Sequence, residues 1–400
     1  VFDTANLIIK KLVIPHIAKI FVAYEDEASN DNYAYSGIRV LSPMTDEDAI
    51  NNAKRLSLTS SSWKNWLINH AIKDGALKNL SQKTKNSLPP QILSLAPRKI
   101  YGGRVIVIPE AGQYLDCNIE MVLKDPTHPM FAQISEPVYQ AIGAYLNQLG
   151  GKLKVTPDFG PNAETADIML QHTSHVLGIS TKSNGSGGKS KYSIISIITA
   201  LKMLESEQQL PLAGHQLTVI GSSGALGSGA VEFMEQNHCT EFFRCDLQHS
   251  QDSTHFQAIG GKFSDECLLR SGPKTMLVTC AYGDEMLNSN WQLLKPGSVW
   301  VSAQNNDLPE GEAGIVFARE LLNLGVLHIP GQILTIGGTM ASWVEWCCRI
   351  SDTIFSEGAV FEVVEAISSS LIKLILADAR ERNITTYEAM LEYAAKAGWE

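Results

Sequence analysis

The sequence has little charge and no long apolar run. Charged residues make up 18% of its 400 residues and hydrophobic residues 44%, which is typical of a globular chain with a buried core. The formal net charge of -10 disfavours a nucleic-acid surface, because such a surface needs clustered Lys and Arg. No apolar run approaches the roughly 20 residues that cross a bilayer. We therefore expect neither a nucleic-acid partner nor a membrane span.

Cysteine is also scarce and irregularly placed. The seven cysteines include the adjacent pair Cys347 and Cys348, and their spacing fits neither a zinc site nor a disulfide framework. Residues 1–22 mix apolar residues with lysines and lack the continuous apolar stretch of a signal peptide. These features predict no metal site and a reducing, cytoplasmic compartment.

The first half of the chain mixes strand and helix patterns. A helix with an N-terminal cap is predicted over 45–58, and residues 68–98, rich in Lys, Ser and Pro, are predicted as an inserted surface loop with a short helix. A second helix is predicted over 131–149. The predicted strands cover residues 19–24, 38–41, 104–109 and 153–157.

The second half alternates strands with helices after a glycine-rich linker over 181–191. Such alternation predicts a doubly wound parallel sheet with helices on both faces. The tail from 339 is helical, with a break near 382–385. We therefore predict an α/β fold of two domains: residues 1–180 as a substrate domain, residues 181–345 as a Rossmann domain, and residues 346–400 as helices that return to the first domain.

The strongest motif lies where the strand Leu217–Ile220 runs into the glycine-rich turn Gly221–Gly227 and a helix. Backbone N–H groups at such a helix start bind a dinucleotide diphosphate. The motif has two possible alignments, one beginning at Ser222 and one that keeps three glycines. Asp246 lies 19 residues after Gly227, where an acid holds the ribose hydroxyls and repels a 2′-phosphate. This predicts NAD as the cofactor, a preference that the nearby Arg244 weakens.

Together with this turn, several motifs over residues 35 to 390 resemble the glutamate/leucine/phenylalanine/valine dehydrogenase family, leucine dehydrogenase-like members included. They occur in the family's order: Ser36-Gly37-Ile38-Arg39, Trp63-Lys64-Asn65, Gly102-Gly103-Arg104, Thr156-Pro157-Asp158-Phe159-Gly160, Ala303-Gln304-Asn305-Asn306-Asp307-Leu308, Ile336-Gly337-Gly338 and Ser342-Trp343-Val344-Glu345-Trp346. The resemblance implies a homo-oligomer that interconverts an L-amino acid with its 2-oxo acid and ammonia, using NAD.

The resemblance also implies roles for individual residues. Lys64 would bind the substrate carboxylate, Asp158 would lie beside the amino group, and Arg104 stands at the position of the base. Gly37 and Ser342 would contact the substrate. The residues implied in cofactor binding are Ser193, Ser222, Gly224, Ala225, Leu226, Gly227, Asp246, Cys280, Ala281 and Asn305.

Two departures from the family pattern bear on the chemistry. Arg104 replaces a lysine, and an arginine, with a pKa above ~12, cannot take a proton from water; Lys99, five residues upstream, is a candidate substitute. Tyr35 replaces the lysine of glutamate-type members, which favours an apolar or aromatic substrate. Three hypotheses follow: an amino-acid dehydrogenase with an unusual base, an NAD-binding relative with other redox or imine chemistry, and a catalytically silent binding or structural homologue.

Overall fold

A computed structural model of the protein supplies the structure. It describes residues 6–58, 62–93, 100–208, 216–237, 241–246, 255–257, 275–280, 291–309 and 311–397. Two of the residues singled out above, Lys99 and Ala281, lie outside these ranges.

A mixed five-stranded sheet forms the core of the first half. The strands up to residue 159 are β1 (Leu7–Ile14), β2 (Ala18–Glu25), β3 (Ala34–Val40), β4 (Tyr101–Pro109), the short pair β5 (Gln113–Tyr114) and β6 (Cys117–Asn118), and β7 (Leu153–Phe159). The sheet order is β1-β2-β4-β3-β7. β2 runs antiparallel to β1 and β4, whereas β3 runs parallel to β4 and β7. The carboxyl ends of β3, β4 and β7 therefore share one edge of the sheet.

Eight helices accompany this sheet in the described part of residues 6–170. They are α1 (Asp46–Ser57), α2 (Trp63–Lys73), α3 (Gln82–Ser87), α4 (Pro90–Leu93), α5 (Ile119–Lys124), α6 (Phe131–Ile134), α7 (Glu136–Gln148) and α8 (Ala163–Leu170). α1 begins where the sequence predicts it, because the Thr45 hydroxyl accepts a hydrogen bond from the Asp48 N–H at 3.1 Å. The helix predicted over 131–149 is divided at Ser135, just before Pro137 in the first turn of α7.

The prediction of an inserted surface loop with a short helix over 68–98 is wrong about the loop for the residues described, although short helices do occur there. The segment up to residue 93 continues α2 and then forms a 3-10 turn (Ala76–Asn79), α3 and α4. Its apolar residues Leu77, Leu80, Leu88 and Ile92 are buried in the same core as the C-terminal helices. The abundance of Lys and Ser hid these apolar positions, and Pro90 begins α4, where a proline costs no hydrogen bond. Residues 94–98 lie outside the described ranges.

The second half contains a six-stranded parallel sheet. Its strands are β8 (Gln216–Ile220), β9 (Glu241–Asp246), β10 (His255–Gln257), β11 (Thr275–Thr279), β12 (Val299–Ser302) and β13 (Leu327–Ile329). The order β10-β9-β8-β11-β12-β13 reverses between β8 and β11, so a crevice opens there at the carboxyl ends of the strands. The described helices of this half are α9 (Ser190–Gln208), α10 (Ala225–Gln236), α11 (Glu312–Leu324) and α12 (Gly331–Leu334). The predicted α/β class with a doubly wound second sheet is confirmed.

Three helices end the described chain: α13 (Ile336–Ile350), α14 (Glu357–Arg382) and α15 (Thr386–Ala397). The break near 382–385 occurs as predicted, at Asn383 in the left-handed region with φ 54°. α14 packs on α9 and on α2, and α15 packs on α2. The tail thus joins both halves of the molecule.

Candidate functional site

A cavity of about 440 Å³ lies between the edge of the first sheet and the crevice of the second. Residues of both halves line it. From the first half come Tyr35, Gly37, Arg39, Asn52, Arg55, Leu56, Lys64, Arg104, Asp158 and Phe159. From the second come Lys189, Ser190, Ser193, Gly224, Ala225, Leu226, Cys280, Ala303, Gln304, Asn305, Asn306, Thr335, Gly338 and Thr339.

On the side of the first sheet, the cavity is lined by the Asp158 carboxylate, which binds two arginines. Asp158 Oδ2 accepts a hydrogen bond from Arg39 Nε at 2.7 Å and from Arg104 NH1 at 2.6 Å. Burial disfavours the charged carboxyl, but Arg39, Arg104 and Lys189 outweigh it and hold the pKa of Asp158 well below its usual range. Asp158 therefore stays ionised, and 28% of its side chain remains exposed to receive a ligand group.

Gly37 makes room for this ion pair. The pairing of β3 with β4 sets Gly37 directly opposite Arg104. A Cβ at Gly37 would come within 2.5 Å of Arg104 NH1 and 2.9 Å of Asp158 Oδ2. Any larger residue would push the guanidinium and the carboxylate apart, so the glycine predicted from the motif has a structural reason here.

Arg104 is held in a buried ion pair and cannot act as a base. Its side chain is almost fully buried, and its NH2 group also donates to the Leu56 carbonyl oxygen at 3.5 Å. Burial lowers the pKa of Arg104 to about 10, while Asp158 supports the charged form. The guanidinium is thus protonated at neutral pH and serves to hold Asp158.

Lys64 lies at the start of α2 with only 5% of its surface exposed. Burial, together with the positive charges of Arg104, Arg39 and Lys189, lowers the pKa of Lys64 well below its usual value, although Asp158 opposes this. An anion bound in the cavity would restore the favourable charge balance. Lys64 is therefore placed to bind a carboxylate.

Lys189 also lines the cavity, although the sequence pattern indicated only a linker over 181–191. Lys189 Nζ donates a hydrogen bond to the Tyr35 hydroxyl at 3.3 Å. Ser342 lies behind Tyr35: it is fully buried, bonds with the tyrosine hydroxyl and donates to the Gly338 carbonyl oxygen at 3.0 Å. Ser342, predicted to bind substrate, is thus outside the cavity lining. The sequence does contain a signal for Lys189: it is a basic residue that ends a glycine-rich run and directly precedes a helix.

The glycine-rich turn occupies the other side of the cavity. β8 ends at Ile220, Gly221 adopts φ 74°, and α10 begins at Ala225 without a side-chain cap. A Cβ at Gly224 would meet only the Gly221 carbonyl oxygen, at 3.3 Å, whereas one at Gly227 would clash with that oxygen at 2.2 Å. Gly224, Ala225 and Leu226 therefore face the cavity, and Gly227 permits the tight turn.

Asp246 and Ser222 contribute to the turn from outside the cavity lining. Asp246, the last residue of β9, accepts a hydrogen bond at Oδ2 from the Ser223 N–H at 3.0 Å. Ser222 is buried. Arg244 forms an ion pair with Glu235 of α10 at 2.6 Å. The turn and the acid predicted to bind the ribose are therefore physically linked.

Three further residues predicted at the cofactor line the cavity: Ser193, Cys280 and Asn305. Asn305 Oδ1 accepts a hydrogen bond from Thr335 at 3.1 Å, which fixes the loop after β12. Burial raises the pKa of the Cys280 thiol to about 12, so the thiol stays neutral. In the part of the chain that is described, no group of three metal-ligating side chains occurs.

The buried Glu345 of α13 holds the segment that precedes Lys189. Its carboxylate accepts hydrogen bonds from the N–H groups of Gly178 at 2.9 Å and Ser186 at 2.8 Å, and from Ile179 at 3.4 Å. Burial raises the pKa of Glu345, while these donors partly counteract the shift. One side chain thus fixes the segment between α8 and α9 at two places, Gly178–Ile179 and Ser186.

We expect Glu345→Gln to lower the free energy of unfolding by about 1 to 3 kcal/mol, because an amide NH2 group would face a backbone N–H and leave a buried donor unsatisfied. Urea unfolding followed by tryptophan fluorescence measures the change. Glu365→Gln on α14, which loses only an exposed pair with Lys202, should leave the curve in place. Equal shifts for both variants would contradict the role assigned to Glu345.

The sequence is similar to those of several amino-acid dehydrogenases, although no family model matches it. It is 23% identical to phenylalanine dehydrogenase of Bacillus thermotolerans over 263 residues, which cover 64% of this chain and 65% of that protein. It is 22% identical to L-tryptophan dehydrogenase of Nostoc punctiforme over 64% of this chain and 68% of the relative. For leucine dehydrogenase of Bacillus cereus the identity is 22%, over 64% of this chain and 66% of the relative. The chain thus matches just under two thirds of the phenylalanine dehydrogenase.

Solved structures extend the likeness of fold to nearly the whole chain. L-tryptophan dehydrogenase from Nostoc punctiforme superposes with a TM-score of 0.62 at 17% identity, covering 98% of this chain and 95% of that one. Hetero-hexameric glutamate dehydrogenase from Thermus thermophilus gives a TM-score of 0.70 at 15% identity, covering 98% and 86%. The resemblance to an amino-acid dehydrogenase family inferred from the motifs is confirmed.

Among the described residues, every helix is too short or too polar to span a bilayer.

Proposed function

We propose that this relative of the amino-acid dehydrogenases oxidatively deaminates an L-amino acid to the 2-oxo acid and ammonia, with NAD as cofactor, and catalyses the reverse reaction. One observation carries the proposal: the Lys64, Arg104 and Asp158 cluster and the glycine-rich turn face the same cavity. Residues 1–180 would bind the substrate and residues 181–345 the cofactor.

The cavity walls suit an amino acid. Five basic side chains and the single acid Asp158 line it among the described residues, which favours anionic ligands. Lys64 would bind the substrate carboxylate, and the ionised Asp158 would accept a hydrogen bond from the amino group. Arg39 and Arg104 fix the position of that acceptor.

The glycine-rich turn suits a dinucleotide. The N–H groups at the start of α10, which no side chain caps, and the few atoms around Gly224 provide the site that a diphosphate requires. When bound, the nicotinamide supplies the hydride acceptor for the substrate α-carbon. Asp246 supports NAD over NADP, and the pairing of Arg244 with Glu235 reduces its capacity to attract a 2′-phosphate.

Asp246→Asn is expected to raise the preference for NADP relative to NAD at least about tenfold, because it removes a charge that repels the 2′-phosphate, and tenfold corresponds to only about 1.4 kcal/mol. The amide oxygen can still accept from the Ser223 N–H. Dissociation constants for both dinucleotides, from fluorescence titration, give the ratio. Glu232→Gln, which removes an exposed charge elsewhere on α10, is the control; an unchanged ratio in Asp246→Asn would contradict the assignment.

Three apolar surfaces, from Tyr35, Leu56 and Phe159, line the cavity beside the charged groups. They support an apolar or aromatic amino acid as the substrate. The relatives named phenylalanine, tryptophan and leucine dehydrogenase agree with this choice.

We further propose that the protein is a homo-oligomer. The hexameric assembly of the glutamate dehydrogenase of similar fold supports an oligomer. The free thiols of Cys117, Cys280 and Cys348 support a cytoplasmic location.

A panel of L-amino acids incubated with the protein and NAD or NADP tests the proposal. We expect growth of the reduced-nicotinamide absorbance with an apolar or aromatic amino acid, and one ammonia released per dinucleotide reduced. Dinucleotide binding without turnover of any amino acid would contradict the proposal and favour a silent homologue. Reduction without ammonia release would indicate other redox chemistry.

A further inference from the structure

The proposed reaction needs a base in its hydrolytic half. Water must lose a proton as it adds to the imine carbon. Arg104, at the position that the resemblance gives to the base, stays protonated, and an arginine side chain is too basic to take a proton from water. Among the described residues of the lining, the remaining basic side chains are Lys64 and Lys189.

Lys189 is held in a defined position. Its side-chain stem lies against Gly338, where a Cβ would come within 3.2 Å of both Cβ and Cδ of the lysine. Its Nζ reaches the Tyr35 hydroxyl at 3.3 Å, and that hydroxyl also bonds with Ser342. The amine is thus fixed between the two halves of the molecule, on the wall of the cavity.

The electrostatic surroundings favour the free amine of Lys189. Burial is the main cause, the positive charges of Arg104 and Arg39 add to it, and Asp158 and Glu345 oppose it; together they lower the pKa of Lys189 to about 7. A lysine with this pKa is about half deprotonated at neutral pH. Tyr35, whose own pKa is raised by burial, remains a neutral hydrogen-bond partner.

Lys64 is the competing candidate, since its pKa is also lowered. It belongs to the first half, next to the Arg104 and Asp158 pair. A substrate carboxylate bound to Lys64 would stabilise its ammonium form, and a protonated amine cannot accept a proton from water. Lys189 has the neutral Tyr35 hydroxyl as its hydrogen-bond partner and stays available in the complex.

We infer that Lys189 is the general base of the reaction, an inference that rests on the proposed function. As the oxygen of water forms a bond to the carbon of the protonated imine (C=NH2+), an O–H bond breaks, its proton passes to Lys189 Nζ, and the C=N electron pair moves to nitrogen. Lys189 then returns the proton to nitrogen. The C–N bond breaks, ammonia leaves with the bonding electrons, and the hydroxyl proton passes to Lys189 as the C=O bond forms. That proton leaves with ammonia as ammonium.

Two variants separate a base from a structural cation. Lys189→Arg keeps the positive charge and a hydrogen bond to Tyr35, but the guanidinium cannot accept a proton from water. Lys189→Met removes the charge and the hydrogen bond. We expect both to lower kcat by about 100-fold to 10,000-fold, with KM changed far less. Lys182→Met, an exposed lysine of the same segment, should behave as the parent. Recovery of most of kcat in Lys189→Arg would overturn the inference and leave Lys189 as a positioning residue.

The pH dependence gives an independent readout. The base must be deprotonated, so kcat/KM of the parent should rise with pH through about 7, and this limb should be lost in Lys189→Met. Competitive amine labelling of the free protein, read by mass spectrometry, should give Lys189 a midpoint near 7. A midpoint near that of exposed Lys182 would overturn the inference whether or not turnover occurs. Absence of turnover in the parent, with a midpoint near 7, would instead contradict the proposed function.

Discussion

Asp158→Asn is expected to lower the free energy of unfolding by about 2 to 3 kcal/mol and turnover by at least about 100-fold. Removing one partner of a fully buried ion pair costs about 3 to 5 kcal/mol, and the exposed 28% of the Asp158 side chain reduces that figure. The variant leaves the positive charges of Arg39 and Arg104 without their carboxylate. Turnover falls because the acceptor for the amino group is weakened and the two guanidinium groups shift. Urea unfolding and steady-state kinetics measure the two effects.

Asp46→Asn is the matched control. Asp46 also pairs with two cations, Lys11 at 2.5 Å and Lys19 at 3.2 Å, but on the surface. Solvent screens such pairs, so stability and kinetics should stay near those of the parent. Equal losses in Asp158→Asn and Asp46→Asn would show that the cavity gives Asp158 no special role.

Gly224→Asp is expected to weaken NAD binding at least about 100-fold while the protein remains folded. Two unit charges about 4 Å apart repel by about 4 kcal/mol at an effective dielectric constant of 20. This exceeds the roughly 2.8 kcal/mol that a 100-fold loss requires. The fold should tolerate the change, because Gly224 is the N-cap of α10 with φ -73° and Asp is favoured at that position. Isothermal titration with NAD and a thermal melt measure binding and folding separately.

Gly358→Asp provides the control for charge and helix position. Gly358 lies in the first turn of α14 with open space around its Cα, away from the cavity lining. The substitution places the same charge at another helix start, so NAD should bind as it does to the parent. Unchanged affinity in Gly224→Asp would place the diphosphate elsewhere.

Patterns of neighbouring residues predicted those elements whose position is determined by short stretches of the chain. The cap at Thr45 fixed the start of α1, and the strand, glycine turn and helix around Gly221–Gly227 gave the order β8, α10, β9. The acid predicted for the ribose, Asp246, comes to the turn because β9 pairs with β8 in parallel register. These features depend on residues near each other in the chain or on one sheet.

Long-range packing decided the rest. Lys189 meets Tyr35, which lies 154 positions away in the chain, and the glycines around it gave the appearance of a simple linker. The role of Glu345 likewise appears only when α13 packs against residues 178–186. The burial of residues 68–93 depends on α14 and α15, about 300 positions later, so its polar composition was misleading.

A crystal structure of the protein with NAD and a 2-oxo acid tests the shared cavity most directly. We expect the diphosphate on the backbone N–H groups at Gly224–Leu226, the 2-oxo carboxylate on Lys64, and Lys189 Nζ within hydrogen-bond reach of the oxo group or of a water beside it. A dinucleotide bound away from the turn, or a 2-oxo acid that leaves Lys64 without an anion, would contradict it.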